Sequence, residues 1–484
     1  MTLMTADAYL DSLRRMHKRV FMFGEEIEDP TDHPMIRPSV NAVAMTYELS
    51  HHPDHEALLT TESSLTGKRI NRFTHLHQST DDLVKKVKML RLLGQCTGCC
   101  FQRCVGMDSF NAIDIVTDKM DQALGTEYNL RFREYLQHVQ DEDLVVDGCM
   151  TDPKGNRGLP PGEQADPDLF LHVIDENKEG ITIRGAKVHQ TGAINSHEIL
   201  AMPTRSLKEA DEDYAVACAI PADDEGVLYV YGRQASDTRK LEGGDIDVGN
   251  VRFGGHEAVV IFNNVFVPWK RVFMCGEFQF AGEMVETFAA YHRSSYGGCK
   301  VGVGDVLIGA TKLIATYQGV EDASHIKDKL VEMIHLNETL YACGLACSTE
   351  GVKTSSGTYL VDMVLANICK LNVTRFPYQI ASIAQDIAGG LLVTMPSEKD
   401  FSHPEVGPLL QKYLAGAEPY PTEWRQRILR LIENLTLGLG AVGYLTESMH
   451  GAGSPMAQRI MLSRLTDMEH KEGLAATIAG IKEQ

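Results

Sequence analysis

The sequence contains no uninterrupted run of eighteen or more apolar residues, so it does not predict a membrane-spanning helix. It also has no low-complexity tract and no repeat of fixed period, which disfavours a disordered or solenoid protein. Basic residues are fewer than acidic ones. The sequence has 46 Lys and Arg and 66 Asp and Glu, which gives a formal net charge of −20. That charge repels phosphate backbones and anionic lipid, so we expect neither nucleic acid nor a membrane as a partner.

Two further absences concern the N-terminus and the nucleotide-binding motifs. Asp7 and Asp11 interrupt the apolar pattern at the start of the chain, which is typical of an amphipathic helix and not of a signal peptide. We therefore expect a cytoplasmic protein. No G-x-G-x-x-G segment follows the first predicted strand, so a Rossmann-type dinucleotide fold is not supported.

The 484 residues are enough for two or three core-bearing units. Apolar residues recur with helical spacing in residues 1–145, short alternating runs typical of strands occupy residues 146–275, and helical spacing returns in residues 276–484. This order predicts an α+β protein, and its layout resembles that of acyl-CoA dehydrogenase-like flavoproteins. It would have an N-terminal helical domain, a central β-barrel domain and a C-terminal helical bundle, with a flavin between the last two.

Four of the eleven cysteines are crowded into one short segment, Cys96, Cys99, Cys100 and Cys104. In a reducing compartment such crowding favours metal binding or redox chemistry over disulfides. If the segment is helical, Cys100 and Cys104 lie on one face and can bind one metal centre. The spacing leaves open which of the first three partners Cys104, and a stripe of buried core cysteines is the alternative.

A second candidate segment, YHRSSYGGCK, carries His292, Tyr296 and Cys299. In a helix these three share a face, because His292 and Cys299 are almost two turns apart. Gly297 and Gly298 weaken a helix, so either the helix ends there or the backbone approaches a ligand closely. Two thiolates from the first segment with one thiolate and one imidazole from this one make four ligands. They suit a [4Fe–4S] cluster or Zn²⁺ equally by spacing.

Six segments, in chain order between Cys100 and Pro455, resemble the motifs of the 4-hydroxybutyryl-CoA dehydratase family: CFQRCVGMDSFNA, MTDPKGNRG, RGAKVHQTGAINSHE, YHRSSYGGCKVGVGD, QDIAGG and TESMHGAGSP. The resemblance selects an iron–sulfur cluster over zinc. It implies a [4Fe–4S] cluster bound by Cys100, Cys104, His292 and Cys299. The family has a non-cysteine residue before its first ligand, so Cys99 is an alternative to Cys100.

The resemblance also implies FAD. The turn MTDPKGNRG offers backbone N–H groups and two cationic side chains, which suit either a flavin or a solvated surface. By resemblance Thr191 hydrogen-bonds the isoalloxazine ring, and QDIAGG meets flavin across a subunit interface, which implies a homotetramer. The expected flavin-binding residues are Met150, Thr151, Pro153, Lys154, Arg157, Gln190, Thr191, Gly192, Gly389 and Gly390.

For activity, the resemblance implies dehydration of 4-hydroxybutyryl-CoA to crotonyl-CoA by a flavin-dependent radical route, with vinylacetyl-CoA isomerisation as a second reaction. His292 is the implied base at C2, and a CoA thioester the substrate. The other implied catalytic residues are Glu447, Tyr296, Glu257, Lys300 and Gln102. Two rival interpretations are a flavin-only aromatic monooxygenase or acyl-CoA dehydrogenase of the same fold, and a non-enzymatic protein with a structural zinc site.

Overall fold

The structure is a computed structural model that describes residues 3–481. The α-helices are α1 (Ala6–Arg14), α2 (Arg37–Ser50), α3 (Glu56–Leu59), α4 (Thr80–Thr97), α5 (Cys104–Leu124), α6 (Tyr128–Asp141), α7 (Phe278–Tyr317), α8 (Ser324–Thr349), α9 (Met363–Val373), α10 (Phe376–Ala388), α11 (Leu391–Thr394), α12 (Glu398–Phe401), α13 (Gly407–Tyr413), α14 (Thr422–Thr436), α15 (Leu439–Ala441), α16 (Glu447–His450), α17 (Pro455–Leu465) and α18 (Met468–Ile478).

The strands are β1 (Arg19–Met22), β2 (Glu25–Ile27), β3 (Thr60–Glu62), β4 (Arg69–Asn71), β5 (Val146–Cys149), β6 (His172–Glu176), β7 (Gly180–Thr191), β8 (Glu198–Ala201), β9 (Val216–Pro221), β10 (Val227–Tyr231), β11 (Glu257–Pro268), β12 (Val272–Cys275), β13 (Val352–Lys353) and β14 (Tyr359–Leu360). Helices and sheets are both present, which confirms the predicted α+β class.

The central strands form two sheets rather than one closed barrel. One sheet has six strands in the order β2-β1-β10-β11-β7-β6, and the other has four in the order β12-β9-β8-β5. Both orders have free ends, so the predicted barrel is not confirmed. The apolar faces of the two sheets lie in one continuous core, which includes Ile183 and Val260 of the first sheet and Ile199 and Ile220 of the second. Stacking of the two sheets buries both inner faces, so the strands do not need to close into a barrel.

The N-terminal segment is not wholly helical. Its strand β1 pairs in parallel with β10, placing Val20 opposite Tyr229, and β2 extends the same sheet. The alternating exposed and buried pattern of Arg19–Met22 explains this placement, because one face of a strand at that position packs on the core.

Helices α4 and α5 are separated by a tight loop that determines where the crowded cysteines lie. Ser79 caps the N-terminus of α4, and Gly98 ends the helix in the left-handed region at φ 59°. Gln102 also adopts a positive φ, 66°, before α5 begins at Cys104. The expectation that Cys100 and Cys104 share a helical face is therefore wrong, since Cys100 lies in the loop.

Helix α7 is the central helix of the protein, 40 residues long, and Ala289–Gly304 is buried without interruption. It does not end at Gly297 and Gly298. A Cβ at Gly297 would lie 2.6 Å from the Gly344 Cα of α8, and one at Gly298 would lie 2.4 Å from the Val87 carbonyl oxygen of α4. The glycines thus admit neighbouring helices at close range, and not the ligand that the sequence suggested.

The C-terminal helices are interrupted beside the site. Between α15 and α16 the chain forms a π-helical turn over Val442–Thr446, a geometry common at functional sites. The stretch Thr422–Leu465 is long and apolar enough to cross a membrane by length and composition, but half of its most apolar window is buried in the protein. That burial is typical of a core segment of a folded domain.

Candidate active site

The loop between α4 and α5 gives the three alternative cysteines different surroundings. A Cβ on Gly443 would lie 3.2 Å from the Cys100 Cβ and 3.7 Å from Glu447 Oε1, so Cys100 lies near Glu447. Burial, and next the charge of Glu447, raise the pKa of the Cys100 thiol well above its usual range. Cys99 instead faces Thr97 and Lys240, with its pKa raised to about 12 by burial. Cys96 is half-buried and is influenced by Glu48. Cys99 shares a buried cluster with Cys104 and Cys299, whereas Cys100 lies beside Glu447, so the assignment of Cys100 as the ligand stays a prediction.

Cys100 lies where the β domain meets the C-terminal helices. Its Cβ would be 3.6 Å from a Cβ placed on Gly255 and 3.2 Å from one placed on Gly443. Both glycines leave space for the loop to pass between the two parts of the protein. The partly exposed thiol of Cys100 thus lies at the boundary where the sequence predicted a flavin.

Helix α7 contributes the other predicted ligands and two predicted catalytic residues. The rings of His292 and Tyr296 are 5.0 Å apart between centroids, as expected for neighbours one turn apart. Lys300 lies above the Tyr296 ring at 5.1 Å, and the buried thiol of Cys299 has its pKa raised to about 11, mainly by burial. One continuous helix therefore presents a base, a phenol, a thiol and an ammonium group to one region.

The donor set can be tested against the cluster that the resemblance implies. Within residues 3–481, no three or more His, Cys, Asp or Glu side chains converge closely enough to hold a single metal ion. A multi-iron cluster occupies the space between its ligands and so keeps them farther apart. Cys100, Cys104 and Cys299 form no disulfide, and His292 engages only one ring nitrogen, Nδ1, in a hydrogen bond. This Cys₃His set supplies the four donors that either a cluster or a zinc ion would need.

Two glutamates form an acid pair beside these ligands. Lys300 makes an ion pair with Glu447 at 2.6 Å and also donates to the carbonyl of Gly443, which the π-helical turn exposes. Burial, and next the charge of Glu447, raise the pKa of Glu257 well above its usual range. The Oε2 atom of Glu257 is buried and has no hydrogen-bond partner among the described residues. A carboxyl group that keeps its proton in this position is consistent with both observations.

The predicted flavin wall forms where two segments meet. The Val188 N–H donates to the Thr151 carbonyl at 2.8 Å, and the Gln190 amide reaches the same carbonyl at 3.4 Å. Thr191 donates to Glu257 at 2.7 Å, so the flavin wall and the acid pair are contiguous. A Cβ at Gly192 would lie 2.8 Å from the Gln102 Cβ. The wall therefore also touches the cysteine loop.

The remaining predicted flavin residues differ in position. Met150 is buried and Pro153 half-buried in the wall, while Lys154 and Arg157 lie on its exposed turn. Gly389 and Gly390 form an exposed turn after α10, and no heavy atom of another described residue lies within 4 Å of a Cβ built on either. This open turn is free to contact a second molecule.

Gln102 is buried, and its side-chain amide is fully engaged. It donates to the Gly254 carbonyl at 3.1 Å and accepts from Asn195 at 3.0 Å. Its positive φ and that of His189, 58°, place two strained backbone positions within the predicted motifs. Such strain persists where surrounding contacts fix the backbone, and it concentrates at functional sites.

Several site residues were not predicted from the sequence. Lys370 of α9 lies 5.2 Å from the Tyr296 ring centroid and donates to the Ser448 carbonyl at 2.5 Å, and Arg293 donates to the Ala452 carbonyl at 3.1 Å. Burial lowers the pKa of Lys370 to about 7, so the buried positive charge comes mainly from Arg293 and Lys300. No motif marks Lys370.

Asp108 is a second omission. Its Oδ2 lies 2.8 Å from His292 Nδ1, and its Oδ1 forms an ion pair with Lys86 at 2.7 Å. Its position four residues after Cys104 was a usable signal, because i and i+4 share a helical face.

Comparison with known proteins places this site in a family. The family model described as 4-hydroxyphenylacetate 3-hydroxylase N terminal matches residues 5–274, and the C-terminal model of the same name matches residues 281–480. The chain therefore belongs to the 4-hydroxyphenylacetate 3-hydroxylase family. The oxygenase component of 4-hydroxyphenylacetate 3-monooxygenase, solved with FAD and 4-hydroxyphenylacetate, has a TM-score of 0.86 at 26% identity, over 98% of both chains.

A more specific similarity is to the dehydratases. The chain is 60% identical to 4-hydroxybutyryl-CoA dehydratase/vinylacetyl-CoA-Delta-isomerase of Clostridium aminobutyricum, over 99% of its own length and 100% of the relative's. A solved oxygen-tolerant archaeal 4-hydroxybutyryl-CoA dehydratase from N. maritimus has a TM-score of 0.98 at 57% identity, covering 100% of this chain and 96% of that one. These matches confirm the resemblance that the motifs indicated.

Proposed function

We propose that the chain dehydrates 4-hydroxybutyryl-CoA to crotonyl-CoA and, as a second activity, isomerises vinylacetyl-CoA to crotonyl-CoA. The observation that carries this proposal is the junction of three elements in one site: the thiol and imidazole set, the acid pair and the flavin wall. The identity of 60% to the curated dehydratase and isomerase supports the choice of substrate.

The cofactors of the proposed reaction are FAD and a [4Fe–4S] cluster. Cys100, Cys104, His292 and Cys299 would hold the cluster. The FAD of the hydroxylase relatives supports a flavin here, against the segments Met150–Arg157 and Gln190–Gly192. When bound, the flavin supplies one-electron redox chemistry and the cluster a Lewis acid for a hydroxyl group.

His292 is the proposed base at C2. The thioester carbonyl makes the C2 hydrogen modestly acidic, whereas the C3 hydrogen is scarcely acidic. Lys300 and Tyr296 lie one or two turns along α7 from His292, so they are placed to polarise the thioester carbonyl or the departing hydroxyl. The buried charges of Lys300 and Arg293 also offset the repulsion of an anionic substrate by the acidic protein.

The acid pair supplies the remaining proton transfers. The net reaction removes one hydrogen each from C2 and C3, returns one to C4, and releases the hydroxyl with the other as water. Glu257, whose carboxyl pKa is raised by burial, is the proposed donor, and Glu447, which makes an ion pair with Lys300, is a proposed acceptor. Two carboxyl groups whose environments differ in this way are typical of acid and base partners.

We also propose that the protein acts as a cytoplasmic homotetramer. Exposed apolar side chains on α17 and α18 support self-association, namely Met456, Ile460, Met468, Leu474 and Ile478. The exposed turn at Gly389 and Gly390 is available to a flavin bound by a second subunit. Multi-angle light scattering on the anaerobic protein measures the assembly directly, and a monomer would contradict it.

The decisive experiment is an anaerobic visible spectrum with iron, acid-labile sulfide and flavin measured per subunit, followed by addition of 4-hydroxybutyryl-CoA. We expect flavin, about four irons per subunit, and crotonyl-CoA as product. Flavin without iron, together with no dehydration, would favour a flavin-only monooxygenase or dehydrogenase. Zinc in a colourless protein would favour the structural zinc interpretation.

A further inference from the structure

The ring of His292 is held by a fully buried ion pair that comes from two other helices. Its Nδ1 lies 2.8 Å from Asp108 Oδ2, and Asp108 Oδ1 lies 2.7 Å from the ammonium nitrogen of Lys86. The side chains of Asp108 and Lys86 are completely inaccessible to solvent. Lys86 comes from α4, Asp108 from α5 and His292 from α7. The arrangement is thus set by the packing of three helices and not by a loop.

The hydrogen bonds around Asp108 permit only one direction. The Ser295 hydroxyl lies 3.0 Å from Asp108 Oδ2 and 3.1 Å from the Tyr291 carbonyl oxygen, so its one hydrogen is available to either acceptor. Lys86 cannot accept a hydrogen bond, and it also donates to the Tyr291 carbonyl at 2.9 Å. A carboxylate that can only accept requires a proton on Nδ1 of His292.

We propose that Asp108 and Lys86 are positioning residues that fix His292 in the Nδ1–H tautomer and present the lone pair of Nε2 to the site. This inference rests on the proposed function: the Nε2 lone pair would serve in turn as a cluster ligand and, once released from the cluster, as the acceptor of the C2 proton. Lys86 has a separate role. Its ammonium group binds Asp108 Oδ1, which fixes the orientation of the carboxylate and offsets its negative charge. Metal-binding histidines commonly depend on such a carboxylate for tautomer and orientation.

The rival explanation is an ion pair that only holds the three helices together. Asp108→Asn separates the two. In that variant the amide oxygen must face Lys86, because an ammonium group only donates. The amide N–H₂ then faces Nδ1, which must accept, so the proton moves to Nε2 and the lone pair is lost. The double variant Asp108→Asn/Lys86→Met removes that constraint, and the amide can turn its oxygen toward His292.

The matched control is Asp114→Asn on the same helix. Asp114 is also fully buried and ion-paired, at 2.8 Å from Arg133, and its carboxylate hydrogen-bonds Thr358 and Asn129, not His292. A purely structural role for Asp108 predicts that both Asn variants behave alike. It also predicts that Lys86→Met adds to the damage of Asp108→Asn instead of relieving it.

The experiment uses the full-length protein in two forms. In ¹⁵N-histidine-labelled, cofactor-free protein, the His292 signals are assigned by their loss in His292→Ala, and the protonated nitrogen is read from the ¹⁵N shifts. We expect Nδ1 protonated in the wild type and the double variant, and Nε2 protonated in Asp108→Asn. In anaerobic holoenzyme we expect Asp108→Asn to lose iron and about 100-fold of the dehydration rate, with partial recovery in the double variant.

The outcomes distinguish this inference from the proposed function. A wild type that carries its proton on Nε2 overturns the inference, and so does a double variant no better than Asp108→Asn in iron content. If Asp108→Asn does not fold, the ¹⁵N shifts of the wild type and the double variant still show which ring nitrogen of His292 carries the proton, and so still test the inference. A wild type that binds no iron and does not dehydrate 4-hydroxybutyryl-CoA refutes the proposed function, while the tautomer measurement stands on its own.

Discussion

Gly302 of α7 offers the sharpest test of how the site is positioned. It lies at the crossing of α7 and α4, where a Cβ would be 2.2 Å from the Arg91 carbonyl oxygen and 2.9 Å from the Gly94 Cα. Both neighbours are backbone atoms of a packed helix and cannot rotate away. Gly302→Ala must therefore push the two helices apart.

The magnitude follows from two opposing effects. Replacing glycine by alanine inside a helix stabilises it by about 1 kcal/mol. Overpacking a filled interior costs about 1–3 kcal/mol, and the upper part of that range applies where backbone opposes backbone. We expect a net loss of about 1–2 kcal/mol for Gly302→Ala from these two effects. Gly309→Ala in the same helix is the matched control, because among the described residues no atom outside its own stretch of helix lies within 4 Å of a Cβ there.

Urea unfolding followed by far-UV circular dichroism compares the two variants. Gly309→Ala should raise the midpoint and Gly302→Ala should lower it. A Cβ at Gly94 would be 2.7 Å from the Cys299 carbonyl, so separation of the helices also displaces a proposed ligand. Gly302→Ala should therefore hold less iron. If Gly302→Ala is as stable as Gly309→Ala, the packing argument is refuted.

Three further outcomes are expected. His292→Ala should abolish dehydration and isomerisation together, and a wild-type rate in either product assay would refute its role as base. Glu257→Gln should keep fold and flavin but lose about 10²–10⁴-fold in rate, since an amide cannot release a proton; an unchanged rate would contradict the assignment. Burial raises the pKa of Asp147 to about 8 from 3.8, and neither oxygen has a partner. Its folded-state pKa exceeds the unfolded value, so its contribution to stability is lost as pH rises from about 4 to about 8. Asp147→Asn should flatten that decline in urea melts at pH 5 and 8; equal slopes would refute it.

The periodicity of the sequence determined the class of the fold and the character of its segments. Helical spacing around α4 and α7 and the alternating pattern of β7 are local properties. They can be read from the sequence without knowing which other segments each element packs against. The long motifs likewise determined the family and the candidate residues, because a motif match depends on residue identity alone. His292, Tyr296 and Cys299 were placed on one face in this way, and α7 is indeed continuous through them.

The tertiary structure decided which of these residues meet. Spacing could not choose between Cys99 and Cys100, since the surroundings of each depend on Gly98 and Gln102 turning the chain through positive φ before α5. The contact of Lys370 with Tyr296 joins residues 74 positions apart by number, and no local pattern encodes it. Two open sheets in place of a barrel have the same origin, because strand order depends on which edges are covered after packing. Local sequence determines the conformation of a segment. Which side chains meet in the site is determined by the packing of segments that are far apart in the sequence.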